Sequence, residues 1–169
     1  MRIAIMGYSG SGKSTLAKTL GQRYALPVVH LDQLHFRKNW VERSDEVAMF
    51  LLKPWLNEPN WVIDGNYHHL GYEDRTELAD HIIILQFSRI TCLRRALFRY
   101  RQYRGKTRPD MTPGCPEKFD FAFFRWILHD GRKKAVRRRY QQLMETYPEK
   151  CILCRNPRTL RHVLEQGLI

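Results

Sequence analysis

Apolar residues in this chain fall in short runs separated by longer amphipathic stretches. Residues 2–6 (RIAIM) form an isoleucine-rich run that stops at Gly7, which predicts a buried strand. Within 14–24, Leu16, Ala17 and Leu20 recur at helical spacing, and Gly21 and Pro27 bracket the end of that helix. Residues 28–31 predict a second strand ending at Asp32. Ser44, with Glu46 nearby, predicts a capped helix running to about Leu56. Residues 61–63 predict a third strand, stopped by Asp64-Gly65. Residues 81–87 (HIIILQF) are apolar almost throughout, as expected of a central strand whose two faces are both covered by helices. A basic helix over 89–104 follows, then a loop over 105–117 (GKTRPDMTPGCPE) and helical pattern over 119–147 with a break at Gly131. A fifth strand over 150–154 and a helix over 159–165 close the chain. Strands alternating with helices specify an α/β fold, with about five parallel strands joined by right-handed crossovers and flanked by helices in three layers.

One stretch carries a chemical signature. Gly7-Tyr8-Ser9-Gly10-Ser11-Gly12-Lys13-Ser14 matches G-x-x-x-x-G-K-[ST] between a predicted strand and a predicted helix, the context that confirms such a match. The glycines let the backbone curl around a phosphate chain with its N–H groups inward, and the helix that follows, through Thr15, aims its positive end at the same point. Lys13 is expected to reach the β- and γ-phosphates of ATP, and the Ser14 hydroxyl to ligate Mg2+. The fold class is thereby a P-loop NTPase. Asp32 and Asp64 stand at the C-terminal ends of the second and third strands, the edge at which open α/β sheets bind ligands. One is expected to orient or deprotonate an acceptor hydroxyl and the other, Asp64, to hold magnesium-bound water; capping the following turn or helix is the alternative for each.

Charge sharpens this picture. The chain of 169 residues carries a net charge of +12, and the whole excess lies within 89–139, where 16 basic residues face 4 acidic ones and 13 of each sign are left elsewhere. Twelve of those 16 are arginines, whose planar forks suit bidentate phosphate contacts. The length fits one domain, 1–169, with 89–139 inserted between the fourth and fifth strands as a helical, arginine-rich lid. Arg101, Arg104 and Arg108 on one side of the loop and Arg125 and Arg132 on the other are candidates to close on the γ-phosphate. No apolar stretch approaches the roughly 18 residues of a membrane span, and the N-terminus lacks an apolar signal core, so a cytoplasmic protein without a membrane partner is expected. Four scattered cysteines do not make a disulfide framework.

Together the P-loop, LDQLH, WVIDGNY and RGKTRPDMTPGCPEKFD segments resemble the P-loop kinase-like DNA topology modulation (FlaR-related) family, over nearly the whole chain. That family is similar to the nucleoside monophosphate kinases, with shikimate and gluconate kinases as cousins. The resemblance implies three carry-overs. Arg95 and Arg99 match the Arg-x-x-x-Arg pair before the adenylate kinase lid, the first stacking on adenine and the second meeting phosphate. Asp64-Gly65 matches the adenylate kinase Asp-Gly, but Asn66-Tyr67-His68 replaces Phe-Pro-Arg, so the arginine for an acceptor phosphate is missing. Asp32 sits where shikimate kinases place an acceptor-binding aspartate, whereas their second aspartate is Leu34 here. The implied acceptor is neither AMP nor shikimate. Arg155-Asn156-Pro157-Arg158 falls where related kinases line the adenine pocket, so Arg155 and Pro157 are expected at the nucleotide.

Other signals have plainer readings. Cys151 and Cys154 have C-x-x-C spacing but lie in a predicted strand, where positions three apart face opposite ways. His30, His35, His68 and His69 share no ligand spacing, so buried or loop histidines are expected. The aromatic cluster at 119–126 reads as lid-helix core. Two functions follow: an ATP- and Mg2+-dependent phosphotransferase with Lys13, Asp32, Arg99, Arg104 and Arg108 as catalytic candidates and an unidentified small acceptor, and, less favoured, a nucleic-acid-binding protein in which 89–139 grips a phosphate backbone under nucleotide control.

Overall fold

A computed structural model describes residues 1–168. Strand β1 (Arg2–Gly7) leads into helix α1 (Lys13–Tyr24), β2 (Val28–His30), the short α2 (Leu31–His35) and a hairpin of β3 (Phe36–Arg37) and β4 (Val41–Glu42). Then come α3 (Asp45–Asn57), β5 (Trp61–Asp64), α4 (Tyr72–Leu78) and β6 (His81–Leu85). The basic α5 (Arg89–Tyr103), α6 (Phe121–Leu128), α7 (Lys134–Thr146), β7 (Cys151–Cys154) and α8 (Pro157–Gln166) complete the chain.

Five strands form a parallel sheet in the order β2-β5-β1-β6-β7. Their composition explains their rank. In β1 and β6 nearly every residue is buried, because helices cover both faces, while β7 at the edge is only half-buried over most of its length. The run at 81–87 lies inside the sheet as its pattern requires, but β1 takes the middle place. The chain leaves β1 toward β2 and later returns past it to β6, so β1 lies where the strand order reverses, and its C-terminal loop opens into the resulting crevice.

Local chemistry sets the boundaries. The strand expected over 28–31 ends at His30, and Leu31 opens α2, which puts Asp32 in the first helical turn. Ser88 caps α5 by accepting a hydrogen bond from the Thr91 N–H at 3.2 Å, so the apolar run ends at Leu85 rather than Phe87. The helical pattern over 119–147 splits into α6 and α7 around a 3-10 turn at Asp130–Arg132, which contains Gly131. The β3–β4 hairpin and α4 were not foreseen: the hairpin strands are two residues each, too short for alternation, and α4 starts after a left-handed Gly71 with no side-chain cap.

The segment expected as a lid lies folded against that hairpin. Thr112 donates to the Phe36 carbonyl at 2.7 Å, the Trp40 indole donates to Pro116 O at 3.0 Å, and the Asn39 N–H donates to Gly114 O at 3.0 Å. Met111 and Cys115 are buried beneath it.

Candidate functional site: a phosphate loop facing an arginine-rich cover

The loop between β1 and α1 is built on backbone contacts too close for side chains. Gly10 has φ +77°, and a Cβ there would stand 2.4 Å from the Cys92 carbonyl oxygen of α5. Gly12, at φ 97°, opens α1 and leaves the helix N-terminus aimed into the crevice. Ser9, Gly10, Gly12, Lys13, Ser14 and Thr15 line a cleft of about 1650 Å³. Gly7, Tyr8 and Ser11 lie behind this floor: the Tyr8 N–H donates to Leu85 O at 3.0 Å, and Ser11 is buried. None of the three is part of the cleft lining. Ser9 accepts a hydrogen bond from the Trp126 indole at 3.1 Å.

Lys13 folds over the loop and donates to the carbonyls of Gly7 at 3.0 Å and Tyr8 at 3.3 Å. Desolvation of its ammonium outweighs the opposing attraction of Asp64 and Asp32 and lowers its pKa. Ser14 donates to Asp64 Oδ2 at 2.9 Å, while the second Asp64 oxygen meets His30 Nδ1. The sheet register imposes this meeting, since His30 and Asp64 are neighbours across β2 and β5. Asp64 is thus buried and held from both sides. Asp32 faces the same cleft, accepts from the Tyr67 hydroxyl at 2.7 Å and keeps Oδ2 4.0 Å from Arg108. Burial and the Asp32 charge push the Tyr67 phenol far above its usual range, so it stays a hydrogen-bond donor.

The arginines are already engaged. Arg95 lines the cleft, donates to Ser11 O at 2.7 Å and lies over the Phe87 ring, bracing the loop. Arg99 and Arg108 converge on the buried Glu117 carboxylate, at 2.8 and 2.6 Å, and Arg108 also meets Asp110 at 2.8 Å. Asp110 titrates below its usual range: burial alone would raise it, and Arg108 with the backbone outweighs that. Arg104 differs from expectation. It lies just beyond the end of α5, is exposed and does not line the cleft. Arg155 and Pro157 do not line it either. Pro157 is the first residue of α8, and the wall on that side comes from Leu160 and Leu164, one and two turns further on. Arg132, expected near the γ-phosphate, is buried behind the loop with its guanidinium 3.9 Å from the Tyr8 ring centre.

Sequence reasoning assigned no site role to His30, expected as a buried or loop histidine and buried here, or to Asn66 and Glu117. The Asn66 side chain accepts from the Gly7 N–H at 3.0 Å and donates to its carbonyl, fastening β5 to the start of the loop. Glu117, one of only four acidic residues within the arginine-rich 89–139 segment, carries the signal of an arginine partner.

A family model described as an AAA domain matches residues 3–112. No curated protein matches the sequence. Among solved structures, an uncharacterized protein from Eubacterium ventriosum is similar over 98% of this chain and 96% of its own, at 17% identity and a TM-score of 0.55. A shikimate kinase from Aquifex aeolicus aligns over 98% and 95%, at 15% identity and a TM-score of 0.46. No helix among the described residues is long and apolar enough to cross a membrane.

Proposed function

The chain belongs to the AAA domain family of P-loop NTPases, and on that premise we propose that it is an ATP- and Mg2+-dependent phosphotransferase acting on a small hydroxyl acceptor. The observation that carries the reading is the 2.9 Å contact between Ser14 Oγ and Asp64 Oδ2 at the mouth of the phosphate loop, with Asp32 lining the same cleft. A hydroxyl and a carboxylate are the hard oxygen donors that Mg2+ prefers, and P-loop sites add only one or two such groups to the phosphate oxygens and water. Ser14 and Asp64 are the residues to hold it. When bound there, Mg2+ would supply positive charge to offset the charge of the phosphates.

The remaining work falls to the chain's own side chains. Lys13 swings from the Gly7 and Tyr8 carbonyls to the phosphates, an exchange favoured because burial leaves the ammonium poorly solvated, the same desolvation that lowers its pKa. Asp32 Oδ2 accepts the proton of the acceptor hydroxyl as that oxygen bonds to the γ-phosphorus and the bond to the β–γ bridging oxygen breaks, releasing ADP. Tyr67 holds the other Asp32 oxygen and so fixes which one faces the acceptor. Arg99 and Arg108, on the cover above the loop, are the groups placed to meet charge on the transferred phosphoryl group. Lys13→Ala removes the phosphate ligand and leaves the fold; ADP release should vanish while the melting curve stays cooperative. Turnover in that variant at the native rate would defeat the proposal. The lid and strand-end segments also support a place in the DNA topology modulation branch.

A second reading draws on the outer face of α7, where Lys134, Arg137 and Arg138 are exposed and line no part of the cleft. That surface suits a nucleic-acid backbone. DNA affinity should then fall steeply with salt, and equal retention at 50 and 300 mM salt would refute it.

A further inference from the structure

The acceptor end of the cleft has a distinctive lining. Phe36, Trp40, Tyr67, His68 and His69 all face the cavity beside Asp32, brought there by the hairpin and by the loop after β5. The rings of Phe36, Trp40, Tyr67 and His69 form one connected group with the buried His35: its ring lies 4.5 Å from Tyr67, 4.6 Å from Phe36 and 5.5 Å from His69, and Phe36 is 5.3 Å from Trp40, while His68 stacks on Tyr72. Such a wall offers π-faces and ring edges, and few charges.

The arginines that brace this end are not free to bind an anionic acceptor. Arg75 is completely buried and donates to the carbonyls of Leu70, Gly65 and Tyr67. Arg43 donates to those of Gln33, Leu34 and Phe36. Arg108 is held by Glu117 and Asp110. With Arg108 claimed by the triphosphate, a phosphate or carboxylate on the acceptor would meet Asp32 with only Lys118, spread over the Trp40 ring at 5.2 Å, and Lys18, paired with Asp110 at 3.7 Å, to balance it. The cleft, at about 1650 Å³, exceeds the roughly 300–1,000 Å³ of a site for one small ligand, so it has room for a nucleotide and a second ring-bearing molecule.

We infer that the acceptor is a neutral alcohol carried on a planar heteroaromatic ring, which stacks against the Phe36–Trp40–Tyr67 wall and presents its hydroxyl to Asp32. The inference rests on the phosphotransferase reading and narrows it. Nucleosides and hydroxymethyl-pyridines both have this chemistry. In the transfer, the hydroxyl oxygen bonds to the γ-phosphorus, the bond to the β–γ bridging oxygen breaks, the proton goes to Asp32, and the products are ADP and the phosphate monoester of the alcohol.

The test is ADP release by the full chain with ATP and Mg2+ and, in separate arms, adenosine, cytidine, thymidine, pyridoxine, AMP, CMP, glucose and gluconate, with ATP binding measured alongside by calorimetry. The expected result is turnover with at least one nucleoside or with pyridoxine, which tells the two sources apart, and none with the monophosphates or the sugars. Phe36→Leu should raise the KM for that acceptor about ten-fold, the equivalent of 1.4 kcal/mol, through lost stacking, with kcat changed far less. ATP binding with transfer only to a monophosphate, glucose or gluconate would overturn the inference and keep the phosphotransferase reading. An unchanged acceptor KM in a folded Phe36→Leu protein would overturn the stacking wall. Absence of both ATP binding and transfer would overturn the phosphotransferase reading and this inference with it.

Discussion

Glu117 holds two arginines that the proposed reaction needs, so a bound triphosphate must compete with it. Its side chain is 2% exposed, accepts a hydrogen bond from Arg99 Nε at 2.8 Å and forms an ion pair with Arg108 Nε at 2.6 Å, while Asp110 keeps a second contact to Arg108 at 2.8 Å. Glu117→Gln preserves shape and one carbonyl acceptor but removes the charge. Breaking a buried ion pair outright costs about 3–5 kcal/mol. Asp110 and the retained acceptor, together with the 28% exposure of Arg99, bring the expected loss to about 2 kcal/mol, or a Tm lower by roughly 4–8 °C. Nucleotide binding should move the other way. A charge-assisted hydrogen bond contributes about 1.5–3 kcal/mol, and freeing the arginines from one such competitor should tighten ATP about ten-fold. Melting curves with and without ATP and Mg2+, and calorimetric titration of both proteins, read the two effects separately. A less stable apo protein with a larger ATP-induced shift is the expected result. ATP affinity that falls together with Tm would show that Glu117 positions the arginines, and unchanged affinity would show that they never meet phosphate; either refutes the competition.

Two further outcomes follow from the loop itself. Gly10→Ala forces a side chain onto φ +77° and against the Cys92 carbonyl, which lies in helix backbone and cannot yield; a loss of about 3 kcal/mol and a Tm lower by roughly 6–12 °C are expected by calorimetry, and native-like melting would contradict the geometry. Lys13 has a lowered pKa in the free protein, and phosphate oxygens favour its charged form, so binding takes up protons above that lowered value; ATP affinity should hold at lower pH and weaken as pH rises through it, and titrations in two buffers of different ionisation enthalpy should show proton uptake rather than release.

The loop was legible because its chemistry is consecutive: eight residues between an apolar run and a helical period specify the turn, the helix end and the lysine together. Pairings across the sheet were not. His30 meets Asp64 because β5 inserts between β2 and β1, and nothing in the two runs of sequence states that order. The helix phase of α5 explains the mixed fortune of the arginines. Arg95 and Arg99, four apart, share the face turned to the loop and cover, while Arg104 lies past Tyr103, where the helix ends and its phase no longer applies. At α8 the phase was again what the sequence left open: Pro157 starts the helix, and Leu160 and Leu164 present its inner face.

The charge excess also divides once positions are known. Of the 16 basic residues in 89–139, seven line the cleft: Arg94, Arg95, Arg99, Arg101, Arg108, Lys118 and Arg139. Several of these are held by Glu117, Asp110 or a backbone carbonyl, so the free positive charge facing a nucleotide is well below what the composition implies. On α7, by contrast, Lys134, Arg137 and Arg138 stand at spacings of three and four on one exposed helix, where like charges destabilise it by about 0.2–0.5 kcal/mol per pair. A stripe with that cost and no acidic neighbour in its first turn has little to do with closing on a γ-phosphate. The phosphotransferase and nucleic-acid readings therefore occupy different surfaces, and each can be disabled without touching the residues that carry the other.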